Sequence, residues 1–365
     1  MADTMKDGQY NHGISHGLEQ LLLVKMKTNS NTFDQVLIAA SRGDHAAFEQ
    51  LIDPYQHELL VHCYHILGSY EDAEDMLQET LLRAWRRLNS FEGRSTLRAW
   101  LYKIATNVCL DALDNRKRRA MAIDLYPQGN PQEPLPAPVR EISWVEPFPE
   151  ALIDHQPSIY PEARYETRES ITLAFVAALQ NLPGRQRAVL LLRDVLGWNT
   201  GEVTEILDMT SAAVNSALQR ARSTMRQNFH HSPATPLTNS ILTSLLTRYV
   251  AAWEQADSNA LVAILREDVA LTMPPIPVWY CGRADIRQFL EGFLFNLANA
   301  FRFRLLPVRA SGSPAFGVYQ MNSNGNYHPA ALHVLSFENG QISAIHDFLY
   351  FDERLFSKFG LPVSG

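Results

Sequence analysis

Phe91-Glu-Gly-Arg-Ser-Thr-Leu-Arg-Ala-Trp-Leu-Tyr-Lys-Ile-Ala-Thr-Asn107, running on to Arg116-Lys-Arg-Arg119, decides how this chain is read. Leu97, Trp100, Leu101, Ile104, Ala105, Val108 and Leu113 recur at helical spacing, so a helix is expected from about Ser95 to Arg118. From Arg83 to Arg119 ten bases face three acids (Glu92, Asp111, Asp114), a net of +7, with aromatics among the bases. Just upstream the sign reverses. Ser69 to Glu79 holds five acids (Glu71, Asp72, Glu74, Asp75, Glu79) and no base. An acidic docking face beside a basic, aromatic surface suits a chain that bridges a protein partner and nucleic acid.

Working outward, the 365 residues suffice for two or three domains, and 46% hydrophobic with 19% charged residues is an ordinary globular composition. The formal charge of −7 is segregated, so local sums matter more than the total. No apolar run approaches the roughly 20 residues of a membrane span, so no membrane association is expected. Leu21 to Val24 is too short for a secretory core. Cys63, Cys109 and Cys281, odd in number and dispersed, suggest reduced thiols and a cytoplasmic location rather than disulfides or a metal site. No cofactor is expected. Residues 1–31 are polar and read as a disordered extension, with Met26 an alternative start.

Residues 32–119 read as an all-helical domain. Its second helix is expected to begin at Pro54 and to end at Leu67-Gly68-Ser69, where glycine takes the left-handed cap. The third carries Ala73, Met76, Leu77, Leu81, Ala84, Trp85 and Leu88 as its buried stripe. Residues 120–165 hold nine prolines, and seven acids against two bases, and read as an extended acidic linker. Residues 166–230 read as a helix-turn-helix unit. Thr200 is its expected first cap, Val203, Ile206 and Leu207 its buried side, and Ser211 the cap of a second helix with Val214, Leu218 and Ala221 inward. That second helix has three bases and no acid between Thr210 and His230. Ser211, Ala212, Asn215, Ser216, Gln219, Arg220 and Arg222 are left to face a major groove. From residue 238 to 362 the pattern turns to helices followed by strands, with Asn339-Gly340 a hairpin turn.

Asp-Ala-Glu-Asp-x-x-Gln-Glu-x-x-x-Arg-Ala-Trp, residues 72–85, resembles the polymerase-binding helix of extracytoplasmic-function sigma factors of the sigma-70 family. The resemblance implies that Asp75, Gln78 and Glu79 contact core RNA polymerase, at the clamp coiled coil of its largest subunit. The segment from Phe91 to Arg119 is similar to the promoter-melting region of that family. By that likeness Arg94, Arg98, Trp100, Lys103, Asn107, Arg116, Lys117 and Arg118 serve the −10 element of promoter DNA, with Trp100 and Tyr102 as stacking surfaces for unpaired bases. The helix-turn-helix resembles the −35-binding region. Glu141 to Glu150, with Trp144 and Phe148, falls where sigma linkers thread the polymerase and imitate RNA, which brings the second-largest subunit within reach.

Asp268-Val-Ala-Leu-Thr-Met-Pro-Pro, Trp279-Tyr-Cys-Gly-Arg283 and Phe359-Gly-Leu-Pro362 are similar to SnoaL-like domains, α+β cones of curved sheet. Trp279, Tyr280, Tyr319, His333 and Asp347 (with His328) are candidates for a small-molecule ligand pocket there. The fold class expected is thus two all-α sigma domains plus an α+β SnoaL-like domain. The expected function is a non-enzymatic initiation subunit tuned in cis by its last domain. Two rivals stand beside it: a helix-turn-helix regulator acting without polymerase, which gel shift on purified protein separates, and a SnoaL-like enzyme with vestigial sigma domains, which requires turnover dependent on His333 or Asp347.

Overall fold

The computed structural model describes residues 33–114, 118–139, 141–150, 171–228, 239–296, 302–349 and 353–363. The expected N-terminal extension lies outside them. Residues 33–41 are helical and lead into α1, His45–Leu67. Helix α1 runs through Pro54 instead of starting there, because Leu51, Ile52, Leu59 and Leu60 form one buried stripe across it. The burial offsets the backbone hydrogen bond that proline removes. Gly68 ends α1 at φ 70°, as expected, and the Ser69 side chain caps α2, Tyr70–Arg87, by accepting from the Asp72 N–H. Helix α3, Leu97–Asp114, completes the first domain and buries Leu97, Leu101, Tyr102, Ile104 and Val108.

After the one-turn helix α4 (Ala122–Leu125) the chain extends to residue 150. Then come α5 (Leu173–Gln180), α6 (Gly184–Leu190, continued by a π turn over Leu191–Val195), α7 (Thr200–Leu207) and α8 (Ser211–Asn228). Asn199, not Thr200, caps α7: it accepts from the Glu202 N–H while the Glu202 carboxylate takes the Asn199 N–H, a reciprocal box. At α8 the Thr210 hydroxyl accepts from the Ala213 N–H at 3.2 Å, so the cap lies one residue before Ser211.

The last domain begins with α9 (Asn239–Glu254) and α10 (Ser258–Val262). Strands β1 (Leu265–Thr272) and β2 (Trp279–Cys281), helix α11 (Arg283–Phe289) and strands β3 (Phe303–Ala310), β4 (Ser313–Met321), β5 (Tyr327–Glu338) and β6 (Gln341–Leu349) follow, and α12 (Glu353–Lys358) closes the chain. The six strands order β2-β1-β6-β5-β4-β3, with β1 parallel to β6 and the other pairs antiparallel. Asn339 and Gly340 both have positive φ, 50° and 80°, as the β5–β6 hairpin turn requires. One face of the sheet packs under α9 and α11 in its own core. The other shares a core with the first domain, α5–α8 and α12.

The described part of the acidic linker, residues 120–139 and 141–150, is seated rather than free. Gly129 N–H donates to Trp279 O at 2.9 Å, Trp279 Nε1 to Tyr126 O at 2.8 Å, and Val139 N–H to Pro275 O at 2.9 Å, so residues 126–139 lie along the last domain at the β2 edge. Residues 143–150 then turn to the first domain. Val145 and Phe148 are fully buried, Tyr64 donates to Glu146 O at 2.7 Å, and Ser69 bonds the Glu146 carboxylate at 2.7 Å. Phe148 sits 5.0 Å from the Tyr64 ring and 5.5 Å from Tyr70, and its backbone exchanges 2.8 Å hydrogen bonds with Ser311 in the β3–β4 turn. Trp144 is likewise buried. Phe148 therefore clasps two domains in this arrangement.

Candidate functional site

On α2, Asp75 and Gln78 are exposed and Glu79 is half-buried, held by Arg83 at 2.6 Å. The residue that sequence reasoning missed is Leu82, one turn further along this face and 50% exposed. It adds an exposed apolar group beside Gln78 and Glu79 on the face that starts at Asp75. Its signal was the i+7 spacing from Asp75. Next to this face, Glu74 accepts from Lys358 of α12 at 2.7 and 2.9 Å and from the Tyr70 hydroxyl at 2.6 Å.

The bases of α3 are occupied. Lys103 donates to Asp208 Oδ1 and to Glu205 O, both at 2.7 Å, and so reaches the end of α7. Arg98 forks onto Glu58 at 2.8–3.0 Å and lies over the rings of Tyr102 (5.1 Å) and Trp198 (5.3 Å), the latter from the helix-turn-helix unit. Arg118 bonds Asn181, and Arg94 is an exposed base paired with Glu92. Asn107 and Trp100 are half-buried, with Trp100 against Phe91 at 5.4 Å. Tyr102 is fully buried, so in this arrangement it is a core aromatic rather than a stacking surface. Arg116 and Lys117 lie outside the described residues. A second tie across the seam comes from buried Arg187 of α6. It bonds Gln180 Oε1 (2.6 Å), Leu182 O (3.0 Å) and Ile66 O at the C-terminus of α1, and burial pushes it down to about 9.

Helix α8 presents an open face. Ser211, Ala212, Asn215, Ser216, Gln219, Arg220 and Arg222 are all exposed, while Val214, Ala217, Leu218, Ala221 and Met225 are buried. Arg222 forks onto Asp194 at 2.7–2.8 Å, leaving Arg220 as the unobstructed base at the centre of the face.

The last domain encloses a cavity of about 260 Å³ between the sheet, α9 and α11. Three strands line it: Val318 and Gln320 of β4, Ala330, Ala331 and His333 of β5, and Asp347 and Leu349 of β6. His333 and Asp347 are partners in the β5–β6 register, 3.4 Å apart at Nε2 and Oδ1, and Tyr249 OH meets His333 Nδ1 at 2.9 Å. The four other candidates do not line this cavity. Tyr319 follows Val318 and so faces the opposite side, where its hydroxyl donates to Pro362 O at 2.7 Å. Tyr280 packs on Phe289 at 5.0 Å, and Trp279 is committed to Tyr126. His328 is exposed. Sequence reasoning also missed Leu135, a wall residue supplied by the linker. Cys63 and Cys109, distant in sequence, meet in the first domain's core, where burial and the neighbouring thiol push Cys109 well up.

Among the described residues no helix is long and apolar enough to cross a membrane. The family model for Sigma-70 region 2 matches residues 51–119, that for Sigma-70 region 4 matches 172–225, and that for the SnoaL-like domain matches 246–345. The chain is 43% identical over 330 residues to the ECF RNA polymerase sigma factor SigG of Mycobacterium tuberculosis, covering 88% of this chain and 85% of that one. It is 27% identical over 186 residues to the ECF RNA polymerase sigma factor SigW of Bacillus subtilis, covering 51% of this chain and 90% of the relative. Among solved structures, the Mycobacterium tuberculosis extracytoplasmic function sigma factor SigJ superposes with a TM-score of 0.50 at 22% identity, over 84% of this chain and 96% of that one. That last likeness concerns the fold.

Proposed function

Because the chain belongs to the extracytoplasmic-function sigma factors, which act with core RNA polymerase at promoters, we propose that it reads promoters with two surfaces, one of them covered until polymerase binds. Asp75, Gln78, Glu79 and Leu82 dock on the largest subunit of polymerase in the cytoplasm. The α8 face reads the −35 element, with Asn215, Ser216 and Gln219 at base edges and Arg220 at phosphate. Arg94, Arg98, Trp100, Lys103, Asn107 and the bases from Arg116 to Arg118 serve the −10 element. The C-terminal domain works in cis as a brake, seated on the first domain beside the docking face, and its cavity is a small-molecule site.

One observation carries this reading. Lys103 is bonded to Asp208 and Glu205 at the end of α7, so the −10 surface is latched to the helix-turn-helix unit while the α8 face stays open. The latch is an exposed ion pair worth less than about 1 kcal/mol by itself, which polymerase contacts readily outweigh. Co-purification with core polymerase and binding of fork-junction DNA test it. Asp75→Arg with Glu79→Arg abolishes co-purification without unfolding the chain. Asp208→Ala raises binding of the free protein to fork-junction DNA by about threefold. Retained polymerase binding removes the docking assignment, and unchanged DNA binding removes the latch.

A further inference from the structure

We propose that the cavity takes a compact, uncharged apolar molecule of one or two rings carrying a hydroxyl, and that its occupancy fastens the linker to the C-terminal domain through Leu135. This rests on the reading of the cavity as a small-molecule site and adds the ligand's chemistry and its mechanical consequence.

Size and lining set the apolar part. An apolar cavity of about 150 Å³ holds a benzene ring. This one measures about 260 Å³ and is walled by Trp253, Phe289 and Phe303, room for a bicyclic or alkyl-substituted ring. The polar requirement comes from Asp347, which is 4% exposed on the cavity wall. Its Oδ1 makes no hydrogen bond, with His333 Nε2 3.4 Å away. A buried acceptor left unmade is costly, and a hydroxyl that donates to it recovers the bond. No Lys or Arg lines the cavity, so a carboxylate or phosphate ligand would meet the Asp347 carboxyl with no fixed positive charge beside it.

Leu135 gives the site its consequence. Every other lining residue lies between Trp253 and Leu349, in the C-terminal domain, whereas Leu135 belongs to the segment joining the two DNA-binding units. The backbone bonds of Gly129 to Trp279 and of Val139 to Pro275 pin that segment on either side of it. A molecule in the cavity touches Leu135 only while the segment is seated. Its binding therefore favours the seated state by the free energy of that contact, as a differential affinity must. Since residues 143–150 of the same segment clasp the first domain, the ligand acts as a corepressor of polymerase engagement.

The test uses the full chain, with naphthol as the probe and naphthalene as the control lacking the donor. Equilibrium dialysis measures binding, and hydrogen exchange follows the amides of Gly129 and Val139. Naphthol is expected to bind about tenfold more tightly than naphthalene. Asp347→Leu erases that preference, and Asp347→Ala, which also removes the acceptor but adds no bulk, serves the same comparison if the leucine variant does not fold. Saturating naphthol slows exchange at both amides. Leu135→Ala weakens naphthol about fivefold and abolishes the slowing. Naphthol binding with unchanged exchange overturns the coupling and leaves the ligand site standing. Equal affinity for the two probes overturns the role of Asp347, and no saturable binding of either overturns the ligand site itself.

Discussion

His62 and His346 are held as neutral rings. His62 Nε2 meets Thr106 Oγ1 at 2.8 Å and His346 Nδ1 meets Thr272 Oγ1 at 3.0 Å. Burial, aided by His65 and Arg98, lowers His62 to about 3, and burial lowers His346 to about 4. His62 is 2% exposed and His346 only half-buried, so the larger effect belongs to His62. In the unfolded chain each ring takes a proton below about pH 6.5. Above that pH neither state is charged and the rings leave stability unchanged. As pH falls toward the folded values, the unfolded chain gains protons that the folded chain refuses. Stability should then drop by about 1.4 kcal/mol per pH unit for His62. Urea denaturation from about pH 7 to 5 should show the midpoint falling, and His62→Gln should flatten that slope. At this scale the sequence was only partly legible. The buried stripes were, because spacing alone states them. Leu82 and Leu135 were not: Leu82 adjoins Leu81 of the buried stripe and Leu135 sits in a proline run, so which of them stays exposed or lines a wall is decided by what surrounds each in space. The caps slipped by one residue at Asn199 and Thr210, where two neighbouring side chains were both competent and only backbone geometry chose between them.

The linker segment is the element whose behaviour departs most from expectation. Proline density and acidity correctly exclude long helix, yet they say nothing of what an extended chain lies upon. The seat is visible only at close approach: a Cβ on Gly129 would fall 2.3 Å from Val278 Cγ2 and 3.1 Å from Tyr280 Cε1. Gly129→Val should therefore lift residues 126–139 from the β2 edge while leaving the sheet intact. Limited proteolysis should cut that segment severalfold faster than in the parent, at an unchanged far-ultraviolet spectrum. The strands teach a complementary lesson. Hairpin β5–β6 was legible from Asn339-Gly340, and with it the meeting of His333 and Asp347. Tyr319 could have been excluded by parity, since it adjoins Val318 on the same strand and neighbours on a strand face opposite ways. Trp279 and Tyr280 had no such signal, because β2 is too short to show alternation.

Across the whole molecule, Phe148 joins what the sequence divides. It is fully buried between Tyr64 and Tyr70 while its backbone holds the β3–β4 turn. Phe148→Ala should cost about 3–4 kcal/mol at that junction. The expected readout is a larger radius of gyration in solution and stronger run-off transcription with core polymerase, from a chain whose separate domains still fold. A compact particle with unaltered transcription would remove the cis brake. The bond from Lys358 to Glu74, one residue from Asp75, has a further consequence. A regulator made as a separate protein must be supplied in matching amounts, and its grip weakens whenever synthesis of the pair drifts out of balance. If the C-terminal domain is the brake proposed above, each copy carries its own restraint at fixed one-to-one dosage and at the high local concentration that tethering confers. On that reading, the balance between restrained and released chains follows from what competes for the docking face, not from how much of a second protein is made.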